Sequence, residues 1–592
     1  MTNNQSTGSM RQNAAWHSRA GISWLMSFGL STLMFLFYLL CCHKRYATVD
    51  DGLITHVFMG YIGGEIPTFH VYLNALLTYP LHWLATAFPS VPWFTWMQLF
   101  FLWLASAVFL HSMIRTFTNH DHPLWLGLLM GLVFCCLFVM PYALSMTYTV
   151  TTALIGAAGI MQMLSIDYKR ATDGAIIRGM MLSLVLIVLG YSLRQMTLLP
   201  VIAFCGLAFV YCTAEYFGFG KGAKRSLRPM VISLVITAVV LGSLVGLREV
   251  EIRAKGMQDH LLWQESRIEV MDYLGMPDLP EDVLEEIGWS QGHVKMARKW
   301  YFIGASTQDY EAIASYSLAS TQPETTAQSL QNAGAKLQAF ALSEPNTMRT
   351  ACLLMTILAL CIIGLLMQRN GTLWRWLCLL LLVLGGSAMV GYLLLSRFVL
   401  RGALTVYLPF AALLFGLIGA CLPSVKGRWR SGLIGAMLVL TAALLGEYAL
   451  VNLPSQIKRP TLNLSFTEPD DVFCARDEYA LAHPDTLFLC DHNLVKDYRL
   501  FPAAQDGVPE NLLIWGDWNY GSGEYREMLA SFGIEMDEID ASIFLRDNVR
   551  FLSDTGEPSL DLPLAYIQEE CGEGIGYHLE EEYISLYAFC IK

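Results

Sequence analysis

The sequence predicts a polytopic α-helical membrane protein of about 11 transmembrane helices, with a small C-terminal α/β or α+β domain. Three observations predict it. Of 592 residues, 54% are hydrophobic and only 15% charged, well short of the quarter charged that soluble domains carry. The apolar residues gather in long runs almost free of charge, each of the length that crosses a bilayer. The polarity then changes: residues 451–592 hold 27 acidic and 9 basic side chains, and the remainder 23 and 29. A modestly basic membrane body thus carries an acidic tail, which excludes nucleic acid as a natural partner.

Residues 1–20 are polar, and the run that begins at Gly21 is too long for a signal-peptide core, so it reads as a retained first helix. Basic clusters at Lys169/Arg170/Arg178, Lys221/Lys224/Arg225/Arg228, Arg369/Arg375 and Lys426/Arg428/Arg430 set the orientation, because lysine and arginine in short loops stay in the cytoplasm. The expected spans are 21–42, 93–114, 124–140, 146–164, 178–193, 198–217, 230–247, 348–367, 375–396, 402–422 and 431–450. The N-terminus is then cytoplasmic, and residues 451–592 form a domain outside a plasma membrane. The stretch 72–88 is apolar but broken by Pro80 and followed by Pro89 and Pro92; it reads as an interfacial or re-entrant helix. Two outer loops result, 43–92 and 248–347, the second mostly helical at 250–274, 280–287 and 323–342.

In the tail, 486–490 and 511–515 have the pattern of short buried strands and 523–532 that of an amphipathic helix. The stretches 576–578 and 583–590 alternate as edge strands do. Cys474, Cys490, Cys571 and Cys590 all fall in this domain. One or two disulfides are expected there, since such bonds persist outside the cytoplasm, and the spacing does not select a pairing.

The segment richest in chemistry is Tyr46-Ala-Thr-Val-Asp50-Asp51-Gly-Leu-Ile-Thr-His56. Adjacent carboxylates at the mouth of a span suit a general base or a ligand for a divalent metal; the plainer use is to cap the following helix. Arg194 ends one span. Arg397 and Arg401 stand four apart at the end of another, on one face if the helix continues, and guanidinium groups there match phosphate oxygens. His56, Glu65, His70 and Asn74 in the first loop are candidates for sugar or acceptor binding. Arg253, Lys255, Arg267, Trp300 and Tyr301 in the second loop are candidates for an acceptor groove.

An acidic pair directly after the first span, an apolar juxtamembrane helix and a second long loop after the seventh span resemble the layout of the GT-C superfamily of membrane glycosyltransferases. The stretch Asp50-Asp51…Gly63-Gly64-Glu65…Pro67…His70-Val-Tyr-Leu-Asn74…Pro89-Ser-Val-Pro-Trp93 is similar to bacterial members with a C-terminal extracytoplasmic domain. Asn511-Leu-Leu-Ile-Trp515-Gly-Asp-Trp518 and Phe544-Leu-Arg-Asp547-Asn548-Val resemble their soluble end. The resemblance implies a GT-C-like body and a polyprenyl-phosphate sugar as donor, with a cell-envelope glycan or glycolipid as acceptor. It also implies an acidic residue of the first loop as base, a role that falls on Asp50 or Asp51. Two other readings carry different expectations. A transporter or flippase of lipid-linked sugars predicts internal repeats, which the sequence lacks. An O-antigen-type polymerase or ligase would use the arginines and not the acidic pair.

Overall fold

The computed structural model describes residues 4–61, 66–218, 226–320, 326–343, 345–368, 373–422, 428–457, 471–490, 499–501, 508–516, 518–536, 539–553 and 560–591. The chain forms two compact units. The first comprises Met1–Arg45, Met97–Val245 and Ser329–Leu464; the second comprises Tyr46–Trp96, Gly246–Gln328 and Ser465–Lys592.

Among the described residues, eight helices are long and apolar enough to cross a membrane. They are Gly21–Cys41, Trp93–Asn119, Leu124–Leu144, Asp173–Leu193, Leu198–Phe217, Arg228–Ala254, Leu373–Leu395 and Leu400–Cys421. Three shorter apolar helices follow the same pattern, Tyr148–Leu164, Thr350–Leu366 and Ile434–Leu450. The protein is therefore of the polytopic helical membrane class. Its outward helix faces carry exposed leucine and valine, such as Leu234, Val235 and Val239, as a lipid-facing surface requires.

The helix Tyr148–Leu164 is buried at every position. Its neighbour Leu400–Cys421 is buried along most of its length and ends in carbonyls held by side chains. Arg375 Nη1 donates to Ala420 O at 2.7 Å and Gln368 Nε2 to Cys421 O at 2.8 Å, and the His122 ring meets Gly419 O at 3.1 Å. Those contacts satisfy carbonyls that have no partner within the helix, and a cation there complements the dipole. Arg375 also pairs with Glu215 at 2.9 Å with both side chains largely buried, so neither charge is left alone in the apolar body.

Close approach in this unit rests on small residues. A Cβ on Gly127 would lie 2.7 Å from Met113 O and 2.8 Å from Ile114 Cα, both backbone atoms that cannot swing aside.

The second unit gathers the first long loop, most of the second and the tail. Its sheet has strands β1 (Leu487–Cys490), β2 (Leu512–Ile514), β3 (Val549–Leu552), β4 (Ile575–Glu581) and β5 (Leu586–Ile591). The order is β2-β1-β3-β5-β4. β2, β1 and β3 run parallel, while β5 pairs antiparallel with both β3 and β4. All four residues of β1 are buried, as a central strand covered on both faces demands. Phe544 packs its ring against Trp515, Phe551 and Phe589 at centroid distances of 5.3, 6.0 and 5.6 Å. Helices Asp471–Ala482, Gly523–Ser531 and Asp561–Cys571 complete this part.

The strands expected at 486–490 and 511–515 and the helix at 523–532 form within a residue or two. β5 differs: it lies between β3 and β4 with its first four residues buried, so of the two expected edge strands only β4 is one. None of the fourteen cysteines is in a disulfide, which corrects the expected bridges. The sheet order explains one pair. Cys490 on β1 and Cys590 on β5 stand two strand spacings apart, about 10 Å, beyond the Cα separation a disulfide spans.

Replacing Gly127 with valine is expected to destabilise the helical unit by about 1–3 kcal/mol through overpacking. Valine at Gly206, where a Cβ meets nothing within 4 Å, is expected to be near neutral; thermal unfolding of the two detergent-solubilised variants compares them.

Candidate active site

The residues that follow the first span fold into a short helix, Val49–Val57, because Thr48 takes an extended backbone conformation that opens it and no proline or glycine run interrupts it. Asp50 and Asp51 fall in its first turn, where carboxylates oppose the positive end of the helix dipole. Their environments differ. Asp51 is fully buried, and its Oδ2 accepts the Thr48 hydroxyl at 2.6 Å. Asp50 is half-buried. Asp51 is thus enclosed at the helix start, and Asp50 beside it is only partly buried.

Hydroxyl groups tie this helix down. Thr55 Oγ1 donates to Asp51 O at 2.9 Å and lies 2.8 Å from Tyr46 OH, which also sits 2.5 Å from Thr95 Oγ1. Thr95 in turn donates to Leu500 O at 2.7 Å. At the other end His56 is buried and stacks on Tyr61 with centroids 4.6 Å apart. Tyr61 OH donates to Asp477 Oδ2 at 2.9 Å, and Arg476 holds that carboxylate at 2.8 Å.

The rest of the first loop is organised by Arg248, a residue the sequence reading leaves without a role. Its buried guanidinium donates to His70 O at 2.9 Å, Val71 O at 2.7 Å and Leu73 O at 3.2 Å. It also meets Glu251 Oε2 at 3.3 Å and lies over the Phe69 ring at 4.3 Å. Its neighbour Glu251 is local, but the carbonyls that define its role are 175 to 178 positions away.

Asn74 is buried and accepts Leu76 N at 3.2 Å. It caps the 13-residue helix Ala75–Ala87, the segment expected to lie at the interface. Leu76, Tyr79, Trp83, Leu84 and Phe88 are exposed along that helix, at the three- and four-residue spacing of a single apolar face.

His70 is buried, and its Nδ1 accepts the Tyr72 amide at 3.1 Å. Its ring meets the edge of Trp518 at 4.6 Å. Burial, helped by the nearby Arg248 charge, pushes its pKa down to about 3, so the ring is neutral. An accepting Nδ1 then places the proton on Nε2, which has no hydrogen-bond partner among the described residues. The residue lines a small cavity of about 20 Å³ together with Phe69, Trp518, Asn519, Ser522 and Glu524.

Glu65 lies outside the described residues. Arg194, Arg397 and Arg401 belong to the helical unit. Arg194 caps the helix Asp173–Leu193, donates to Thr149 Oγ1 and sits over the Tyr148 ring at 4.5 Å. The helix Leu373–Leu395 stops before Arg397, and the next begins at Leu400. Arg397 and Arg401 therefore do not share a continuous helical face, since the chain is extended at Val399 between them.

In the second loop Arg267 is buried among Trp263, Trp300 and Phe302, 5.0–5.8 Å from their centroids, and donates to Gln264 Oε1 at 2.7 Å. Tyr301 is buried beside this box. Arg253 pairs with Glu249 on the exposed helix surface at 2.7 Å, and Lys255 donates to Thr68 Oγ1. Among the described residues, no group of three His, Cys, Asp or Glu side chains is placed to hold a metal ion.

Compared with known proteins, the chain matches no family model, no curated protein and no solved structure.

Arg248→Ala is expected to cost about 3 kcal/mol or more, because it strands three carbonyls and Glu251. Lysine should recover only part, being a point charge in place of a fork; chemical unfolding of each variant measures this. A second expectation concerns acid. Burial also pushes His260 down, to about 4. Both histidines fold neutral but bind protons when unfolded below pH about 6.5, so their contribution is complete above that pH and falls as pH drops toward 4. The expected loss is on the order of 1 kcal/mol per pH unit for each. Melting curves from pH 7 to 5 test it, with His70→Gln showing the shallower slope.

Proposed function

We propose that the protein is a membrane glycosyltransferase of the GT-C type. On this reading it transfers a sugar from a polyprenyl-phosphate donor to a glycan or glycolipid acceptor of the cell envelope. The observation that carries the reading is the asymmetry of the acidic pair. Directly after the first span, Asp51 is buried and held by Thr48, and Asp50 is left half-buried beside it.

That asymmetry divides the work. Asp50 is the base: it takes the proton of the acceptor hydroxyl as the oxygen attacks the anomeric carbon. The bond from that carbon to the phosphate oxygen breaks, and the electron pair leaves with the lipid phosphate. Asp51 is a positioning residue that fixes the start of the helix through Thr48. The departing phosphate needs positive charge to stabilise it. The three shorter apolar helices complete eleven spans on this reading, placing the N-terminus in the cytoplasm of a plasma membrane. The second unit then lies outside.

The test is transfer from a radiolabelled polyprenyl-phosphate sugar by purified protein in lipid. Asp50→Asn is expected to lower kcat by about 100-fold or more, with substrate binding little changed. Thr48→Val should give a smaller loss together with a lower melting temperature. Full activity in Asp50→Asn would refute the assignment. Translocation of the lipid-linked sugar across vesicles without any product would point instead to a flippase. Loss confined to Arg397 and Arg401 variants would point to a polymerase or ligase.

A further inference from the structure

We infer that Cys590 is a nucleophilic thiol with its own base, a site at which the second unit takes up a small organic disulfide as a mixed disulfide. The strand register builds it. β4 and β5 pair antiparallel with Gly576 opposite Cys590 and His578 opposite Ala588. Residues two apart on a strand share a face, so His578 lies diagonal to Cys590 on one side of the sheet, within reach of a long side chain. The His578 ring makes that contact, its Nδ1 standing 3.7 Å from Cys590 Sγ. The position directly across from the thiol is a glycine, which adds no side chain beside the sulfur.

The imidazole is itself backed by charge. Its Nε2 is 3.6 Å from Glu580 Oε1, and Arg550 on β3 holds the other oxygen of that carboxylate at 2.7 Å. Glu580 is the extra residue where the pairing register shifts between Leu579 and Glu581, the kind of bulge that re-aims a side chain. The carboxylate favours the ring tautomer with its proton on Nε2, so the Nδ1 lone pair faces the sulfur. Thiol, imidazole and carboxylate then stand in line, the order in which a base prepares a nucleophile. A reagent can reach them, since Cys590 is only partly buried and 57% of the His578 side chain is exposed.

The chemistry is thiol–disulfide exchange. His578 Nδ1 takes the thiol proton, the thiolate attacks one sulfur of the disulfide, and a new S–S bond forms as the old one breaks. The electron pair leaves with the second sulfur, and the imidazolium returns its proton to that thiolate. The disulfide is the oxidant, so no other is consumed. Cys571 in the same unit supplies the contrast. It is exposed, yet partial desolvation and the Asp540 and Glu570 carboxylates push its thiol up. Exposure alone would make Cys571 the faster of the two; the imidazole reverses that order. Nothing in this site depends on sugar transfer.

The test is the rate of mixed-disulfide formation by the full-length protein in nanodiscs with dipyridyl disulfide, read residue by residue by mass spectrometry. At pH 7, Cys590 is expected to react about tenfold faster than Cys571, because an unassisted thiol is only a few per cent ionised there. His578→Ala should slow Cys590 about tenfold without changing the rate at Cys571. His578→Gln, which keeps a polar side chain but no base, should be as slow. At about pH 10, where the thiol ionises unaided, parent and His578→Ala should react alike. Cys590 reacting no faster than Cys571 at pH 7, an unchanged rate in His578→Ala, or a deficit of that variant that persists at the higher pH would overturn the proposal.

Discussion

The guanidinium of Arg248 is the constraint on which the second unit most depends. Three carbonyls from His70, Val71 and Leu73 converge on one buried side chain, and a loop with few backbone bonds of its own becomes a fixed support. The same contact sets the entry to the helix Ala75–Ala87 through Asn74 and holds the His70 ring against Trp518. A buried cation is costly unless satisfied; here the carbonyl dipoles, Glu251 and the Phe69 ring share that duty. The cation in the aromatic box, Arg267, is held in a different way, with rings and a glutamine around it.

The two units solve different physical problems. In the helical unit, apolar side chains face outward and polar groups turn inward to pair, as Arg375 does with Glu215 and with the last carbonyls of Leu400–Cys421. In the second unit the sheet buries aromatic side chains, and Asn511 joins its parts. Its Nδ2 lies 2.8–3.1 Å from Ala480 O, His483 O and Thr486 O, linking the end of one helix to the start of β1. That explains structurally why an asparagine opens the stretch Asn511-Leu-Leu-Ile-Trp515: it caps, while Trp515 fills the core beneath.

Much of the fold was legible because its signals are local. Long apolar runs mark the helices, and the runs at Leu487 and Leu512 mark buried strands. The first-turn position of Asp50 and Asp51 follows from the same local pattern. What could not be read depends on contacts distant in sequence. β3 (Val549–Leu552) is four residues long and shows no alternation, so only its parallel pairing with β1 reveals it. The four-residue spacing of Arg397 and Arg401 suggested one helical face, yet the helix ends between the spans and the spacing loses that meaning. Asn74 carries the chemistry of a sugar ligand and serves as a cap. The His70 pocket requires residues 69–71 and 518–524 side by side, which no window of sequence could show.

The central claim is that Asp50 faces the reacting centre of a lipid-linked sugar. The most direct measurement is an experimental structure of the protein in a lipid nanodisc with a non-hydrolysable polyprenyl-phosphonate sugar bound. The account predicts an Asp50 carboxylate oxygen within hydrogen-bond reach of an acceptor position beside the anomeric carbon. A donor seated elsewhere, with Asp50 turned to bulk solvent, would contradict it.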